Sequence, residues 1–183
     1  MIIMKKNNIK WLVKIVLISV AASMVFTLAS AEVLGWSGYA VAFIVLAVFI
    51  GIGIVFDMIG IAVTAASETP FHSMAAHRER GAAESLRLMK NADKVSSFCN
   101  DVVGDVTGIV SGSTAALIAG RLMQNLSVES ILLQLLISGT VTGLTIGGKA
   151  IGKTFAFNHC TAIVLKVGKL INSTSAVVKV ERG

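Results

Sequence analysis

Three aspartates lie within or at the mouth of apolar stretches: Asp57, Asp101 and Asp105. A carboxylate at the centre of a membrane helix costs about 2.5–3.5 kcal/mol on insertion scales, so such residues usually face a bundle interior and mark ion or proton paths. Asp101 and Asp105 are spaced i, i+4 and share a helix face, which Gly108 and Gly112 continue. Upstream, Gly53, Asp57, Gly60, Thr64 and Ser67 fall along one side of a second apolar stretch. Together these form an oxygen-rich set toward one end of the spans. Oxygen ligands suit a hard cation such as Mg2+. The competing use of the same acids is a structural ion pair, with Lys94 or Lys149 as the partner.

Other chemistry is not indicated. His72, His77 and His159 show no metal-type spacing, and neither do Cys99 and Cys160, which read as free thiols. The chain has no G-x-S-x-G, no phosphate-binding G-x-x-x-x-G-K-[ST] and no H-E-x-x-H. A non-enzymatic protein is therefore expected. Asn172-Ser-Thr fits a glycosylation sequon but falls on the expected cytoplasmic side.

The elements that must position these acids are membrane helices. Charged residues make up 14% of the chain, against about 25% for a soluble domain, so a folded surface of this composition could not be wetted. Apolar runs occupy 15–31, 33–56 (continuing past Asp57 to about 66), 102–120 around Asp105, and 130–148. A spanning helix needs about 20 residues. The runs predict spans near 11–31, 37–66, 98–121 and 129–149. The expected fold is an all-α membrane protein, a bundle of about four transmembrane helices with cytoplasmic juxtamembrane amphipathic helices. Ala29-Ser-Ala31 before Glu32 has the form of a signal-peptidase site, but the apolar run before it is longer than the usual 7–15 residues and favours a retained helix.

The net charge of +6 does not indicate nucleic acid, because the basic residues flank apolar runs. Lys5, Lys6, Lys10 and Lys14 precede the first run. Arg78, Arg80, Arg87, Lys90 and Lys94 follow the second, and Lys149, Lys153, Lys166 and Lys169 follow the fourth. The other two connections carry almost no positive charge. Positive flanks alternate, which places both termini and the 68–97 segment in the cytoplasm of a multi-pass cell-membrane protein. Within 68–97, Phe71, Met74, Ala75, Ala82, Leu86 and Met89 fall near helical spacing, broken at Gly81 and again around Asn91 and Asp93. This predicts two short helices with their apolar sides in the headgroups. Ile163, Val164, Val167, Leu170 and Ile171 make a similar stripe in the tail.

Small residues recur every fourth position at Gly104, Gly108, Gly112, Ala116 and Gly120, and at Gly139, Gly143 and Gly147. Such ridges let helix backbones approach closely, so the third and fourth spans are expected to meet along them.

Three motifs appear in order. Ala65-Ala-Ser-Glu-Thr-Pro70, followed by a basic helical segment, resembles the S-x-S-E-T-A signature of the cyclin M (CNNM)/CorB/CorC transmembrane-domain family. Cys99-Asn-Asp-Val-Val-Gly104 resembles its G-N-N-x-x-N segment, and Gly148-Lys-Ala-Ile-Gly-Lys-Thr154 resembles its G-E-x-x-P-K-T segment. The resemblance covers about residues 39–172. It implies three spans with cytoplasmic juxtamembrane helices, a homodimer, and transport of Mg2+ or Co2+. It implies that Ser67 and Asn100 stand where the family places cation-binding side chains. The metal set expected from residues and resemblance together is Ser67, Asn100, Asp101, Asp105 and Asp57. The departures are Ala65, Asp101, Gly104, Lys149 and Gly152, and no cytoplasmic CBS domain follows the membrane region in this sequence. Lys149 in place of a glutamate raises the alternative of a scaffold that has lost ion binding and serves a membrane-protein partner. The chain divides into 1–36 (basic start and an extra helix), 37–175 (the family-like domain) and a tail at 176–183.

The charge pattern sets a direct test. Single cysteines introduced between 78 and 94 in a cysteine-free background should react with an impermeant maleimide only from the cytoplasmic side. Labelling from outside intact cells would invert the topology.

Overall fold

The computed structural model describes residues 6–36, 38–126 and 131–180. Lys5, Ser37, the tip of the 121–129 connection, Ser130 and the end of the tail lie outside the described residues. Among the described residues all regular structure is helical: α1 (Lys6–Trp36), α2 (Tyr39–Ala65), α3 (Glu68–Ala76), α4 (Ala82–Lys90), α5 (Ala92–Ser97), a π-helical turn (Phe98–Gly104), α6 (Asp105–Leu126), α7 (Ile131–Asn158) and α8 (Cys160–Val180). Four stretches are long and apolar enough to cross a bilayer: Val13–Glu32, Tyr39–Ala65, Ala92–Asn125 and Ile131–Asn158. Their exposed faces are oily. Leu28, Ile44, Leu132 and Leu144 are each at least 63% exposed, which only lipid tails or a partner helix can cover. The protein is an all-α membrane bundle. The third span begins at Ala92, earlier than its apolar run, and the fourth continues to Asn158. α1 runs unbroken through Ala29, Ser30 and Ala31.

The chain forms two compact units, Met1–Ile54 with Asp101–Gly148, and Val55–Asn100 with Lys149–Gly183. In the first, α1 packs along α6. Its inward stripe is small and hydroxylated, with Ser19, Ser23 and Thr27 partly covered and Ser30 buried. Small side chains at four-residue spacing allow a close crossing. Phe26 meets Phe49 of α2 edge-on, ring centroids 5.6 Å apart. Ala42 and Leu46 of α2 close on Ile118 of α6, with Val141 of α7 packed alongside. At Gly53, α2 lies close to α6, because a Cβ there would sit 2.5 Å from Thr107 Oγ1. Thr107 donates back to Val103 O in the π-helical turn and Ser111 to Thr107 O, so these hydroxyls are satisfied without water.

The expected glycine-to-glycine contact does not form. A Cβ built at Gly108, Gly112, Gly120, Gly139, Gly143 or Gly147 would meet nothing within 4 Å. The buried face of α6 instead carries Val106, Val110, Ser111, Thr114 and Ile118, beside the glycine row.

The second unit contains the basic segment. Ser67, at φ −84° and ψ 140°, caps α3 and accepts from the Thr69 amide. Gly81 separates α3 from α4 in the left-handed region, at φ +84°. Phe71 and Met89 do not lie in the headgroups. They are buried with Ala62, Val63 of α2 and Val164 of α8, so the amphipathic face expected to meet lipid is spent on protein. The joint between α4 and α8 is made by Ser85, whose hydroxyl reaches both Gly81 O (2.8 Å) and Val164 O (3.1 Å). Any Cβ at Gly168 would overlap Ser85 Oγ and Gly81 O. Asn172 donates to Glu84 at 2.9 Å, and Lys169 to Glu79 at 3.2 Å. The Asn172 bond, aided by Glu84's own backbone amide, holds the Glu84 carboxyl below its ordinary value.

The two glycine environments predict opposite responses. Gly168→Ala should destabilise by about 1–3 kcal/mol through overpacking, whereas Gly143→Ala should cost nothing, since its site is open. Thermal unfolding in detergent compares them directly.

Candidate functional site

The five candidate residues divide between the two units. Asp57, Ser67 and Asn100 belong to the second, and Asp101 and Asp105 to the first.

Asp57 is buried on α2, and its carboxylate lies 3.1 Å from the Lys149 ammonium on α7. Each residue stands about 27 Å along its helix from the first residue, at 1.5 Å per residue. The pair therefore sits within the apolar lengths of both helices. Its side chains are 7% and 20% exposed for Asp57 and Lys149. Of the two candidate lysines, the structure selects Lys149, the residue standing where the family-like motif has glutamate.

Asn100 occupies the π-helical turn, a helical irregularity that often marks functional positions. Its Nδ2 donates to Ser96 Oγ at 3.1 Å. Its Oδ1 is buried and has no hydrogen-bond donor. That oxygen presses against Gly60 of α2, where a Cβ would collide with it. The approach requires glycine at this position. An orphaned amide oxygen in a buried setting costs about 1–3 kcal/mol. It is also the kind of group that a hard cation would use. Cys99, next in the turn, is buried and free.

Ser67 is exposed, and its hydroxyl is engaged as the α3 cap with Thr69. Gly53, Asp57 and Gly60 are buried on one face of α2 as their spacing predicts, but Thr64 is exposed and donates back to Ile61 O. Asp101 and Asp105 are exposed and line a groove of the first unit together with Ser19, Ser23 and Thr27 of α1. Among the described residues no three His, Cys, Asp or Glu side chains are grouped to hold a metal ion. Residue patterning overlooked the hydroxyl stripe of α1, although its S-x-x-x-S-x-x-x-T spacing is visible in the sequence.

Comparison with known proteins returns no match: no protein family, no curated protein and no solved structure is significantly similar to this chain.

The ion pair makes a clear energetic statement. Removing one partner leaves an uncompensated buried charge, which costs about 3–5 kcal/mol. Lys149→Ala should destabilise by that order in the absence of divalent cations. Asp57→Leu combined with Lys149→Met should recover most of the loss, as measured by denaturation in detergent micelles.

Proposed function

We propose that this protein binds a divalent cation of the Mg2+ class within the membrane and passes it across the cell membrane, without chemical turnover. The observation that carries the reading is the buried Asn100 Oδ1, left without a donor in a π-helical turn. The same unit holds Asp57, a carboxylate at membrane depth. Mg2+ takes six oxygens at about 2.0–2.1 Å and commonly keeps some waters, so an amide oxygen and a carboxylate need only begin its shell. The resemblance to the CNNM/CorB/CorC domain supports Mg2+ or Co2+ as the cargo and a homodimer as the working form. The alternating positive flanks support cytoplasmic termini.

In this reading Lys149 is the resident counter-ion. Its ammonium neutralises Asp57 while no cation is present, and an arriving divalent ion displaces it. A second reading is favoured by the same pair. If the Lys149–Asp57 bond is permanent, the site is filled by the protein's own ammonium, and the chain is a membrane scaffold descended from a transporter.

Calorimetry with Mg2+ on detergent-solubilised protein separates the two. For a cation site, Lys149→Ala should bind Mg2+ at least as tightly as wild type, and Mg2+ should restore its thermal stability. Asn100→Ala should weaken binding about tenfold, or about 1.4 kcal/mol. No binding by any variant at millimolar Mg2+, with Lys149→Ala remaining unstable, would leave the scaffold reading.

A further inference from the structure

We propose that the groove between α1 and α6 is the docking site for a transmembrane helix of another protein, one that carries a lysine or arginine near mid-span, held by Asp101 and Asp105. The groove has a volume of about 660 Å3 and lies against residues 19–28 of α1. Those residues are the middle of the α1 membrane segment, Val13–Glu32. Its α6 wall carries both carboxylates, and its α1 wall carries the hydroxyls of Ser19, Ser23 and Thr27.

Charge complementarity fixes the occupant. Asp101 and Asp105 are exposed, and neither makes an ion pair or hydrogen bond among the described residues. Ionised carboxylates facing lipid at this depth are costly and call for a cation. No lysine or arginine lines the groove. Among the described residues of this chain, Lys149, well inside the fourth span, is held by Asp57, and Lys14, Lys94, Arg121 and Lys153 stand toward the ends of their spans, so a second copy is poorly placed to bring a cation to mid-span.

A helix fits the remaining surface. Met24, Leu28 and Ile109 flank the acids and are each at least 61% exposed, which offers an apolar bed on either side of the charge. The small α1 hydroxyls permit close backbone approach and offer hydrogen-bond partners across the interface. This site is independent of the Asn100 site, because it uses neither Asn100 nor Asp57.

The test uses the full chain in phosphatidylcholine vesicles with designed single-span leucine–alanine helices. One helix carries a central lysine and the other a glutamine at the same position, and association is followed by energy transfer. The lysine helix should associate with wild type at least tenfold more tightly than with the isosteric Asp101→Asn/Asp105→Asn variant. The glutamine helix should show no such difference. Ser23→Leu, which fills the groove and leaves the charges alone, should also weaken the lysine helix. Equal association of the lysine helix with wild type and either variant overturns the proposal. So does displacement of that helix by millimolar Mg2+, which would make the occupant an ion. Self-association of wild type that disappears in the double asparagine variant would make the occupant a second copy, and likewise overturns it. Unchanged helix content and melting temperature certify that the variants are folded, and the groove-filling variant carries the test if the asparagine pair fails that check.

Discussion

A carboxylate and an ammonium 3.1 Å apart at membrane depth are the constraint around which the second unit is arranged. Neither charge is tolerable there alone. Together they tie α2 to α7, and they do so at equal distances along the two helices. This registers the helices axially, something that apolar packing between lipid-facing surfaces does weakly, since lipid tails compete equally well for leucine and valine. Gly60 then brings the π-helical turn against α2 with no side chain between, and Asn100 is held where its amide oxygen has no donor. The second unit thus holds both a neutralised acid and an unsatisfied amide oxygen.

The short helices of the second unit solve a different problem. α3 and α4 are too short to be stable alone, being nine residues each. They are held by caps and by burial. Ser67 caps one, the left-handed Gly81 turns the chain into the other, and Phe71 and Met89 anchor both in a shared core with Val164. Ser85 closes the joint with α8, its single hydroxyl proton shared between the Gly81 and Val164 carbonyls. Glycines on each side of that joint, Gly81 and Gly168, remove the bulk that would otherwise hold the helices apart.

Much of this architecture was legible in the residues. Apolar run length gave four spans, and the breaks at Gly81 and Asn91 gave the helix boundaries of the basic segment, because backbone preference acts locally. Partner choice was not legible. Phe71 and Met89 have the spacing of an interfacial helix, and only the placement of Val164, far along the chain, decides that protein covers them instead of lipid. The glycine rows misled for a similar reason. A ridge without side chains permits close packing but does not compel it, and the α6 face beside the row, with its valines and hydroxyls, is the one that is buried. For the acids, sequence offered Lys94 or Lys149 as a partner without choosing between them. Distance in space separates them, and no local pattern encodes it.

The π-helical turn from Phe98 to Gly104 alters how sequence distance maps onto helix face. Turns of this kind accommodate one residue more than an α-helix of the same length. One residue corresponds to about 100° of rotation in an α-helix of 3.6 residues per turn. Side chains counted across the turn at α-helical spacing therefore fall about that angle from the face the count predicts. Loss of a single residue there would remove that offset, a change that no substitution in the turn makes. For this stretch of chain, insertion and deletion are a sharper threat than substitution.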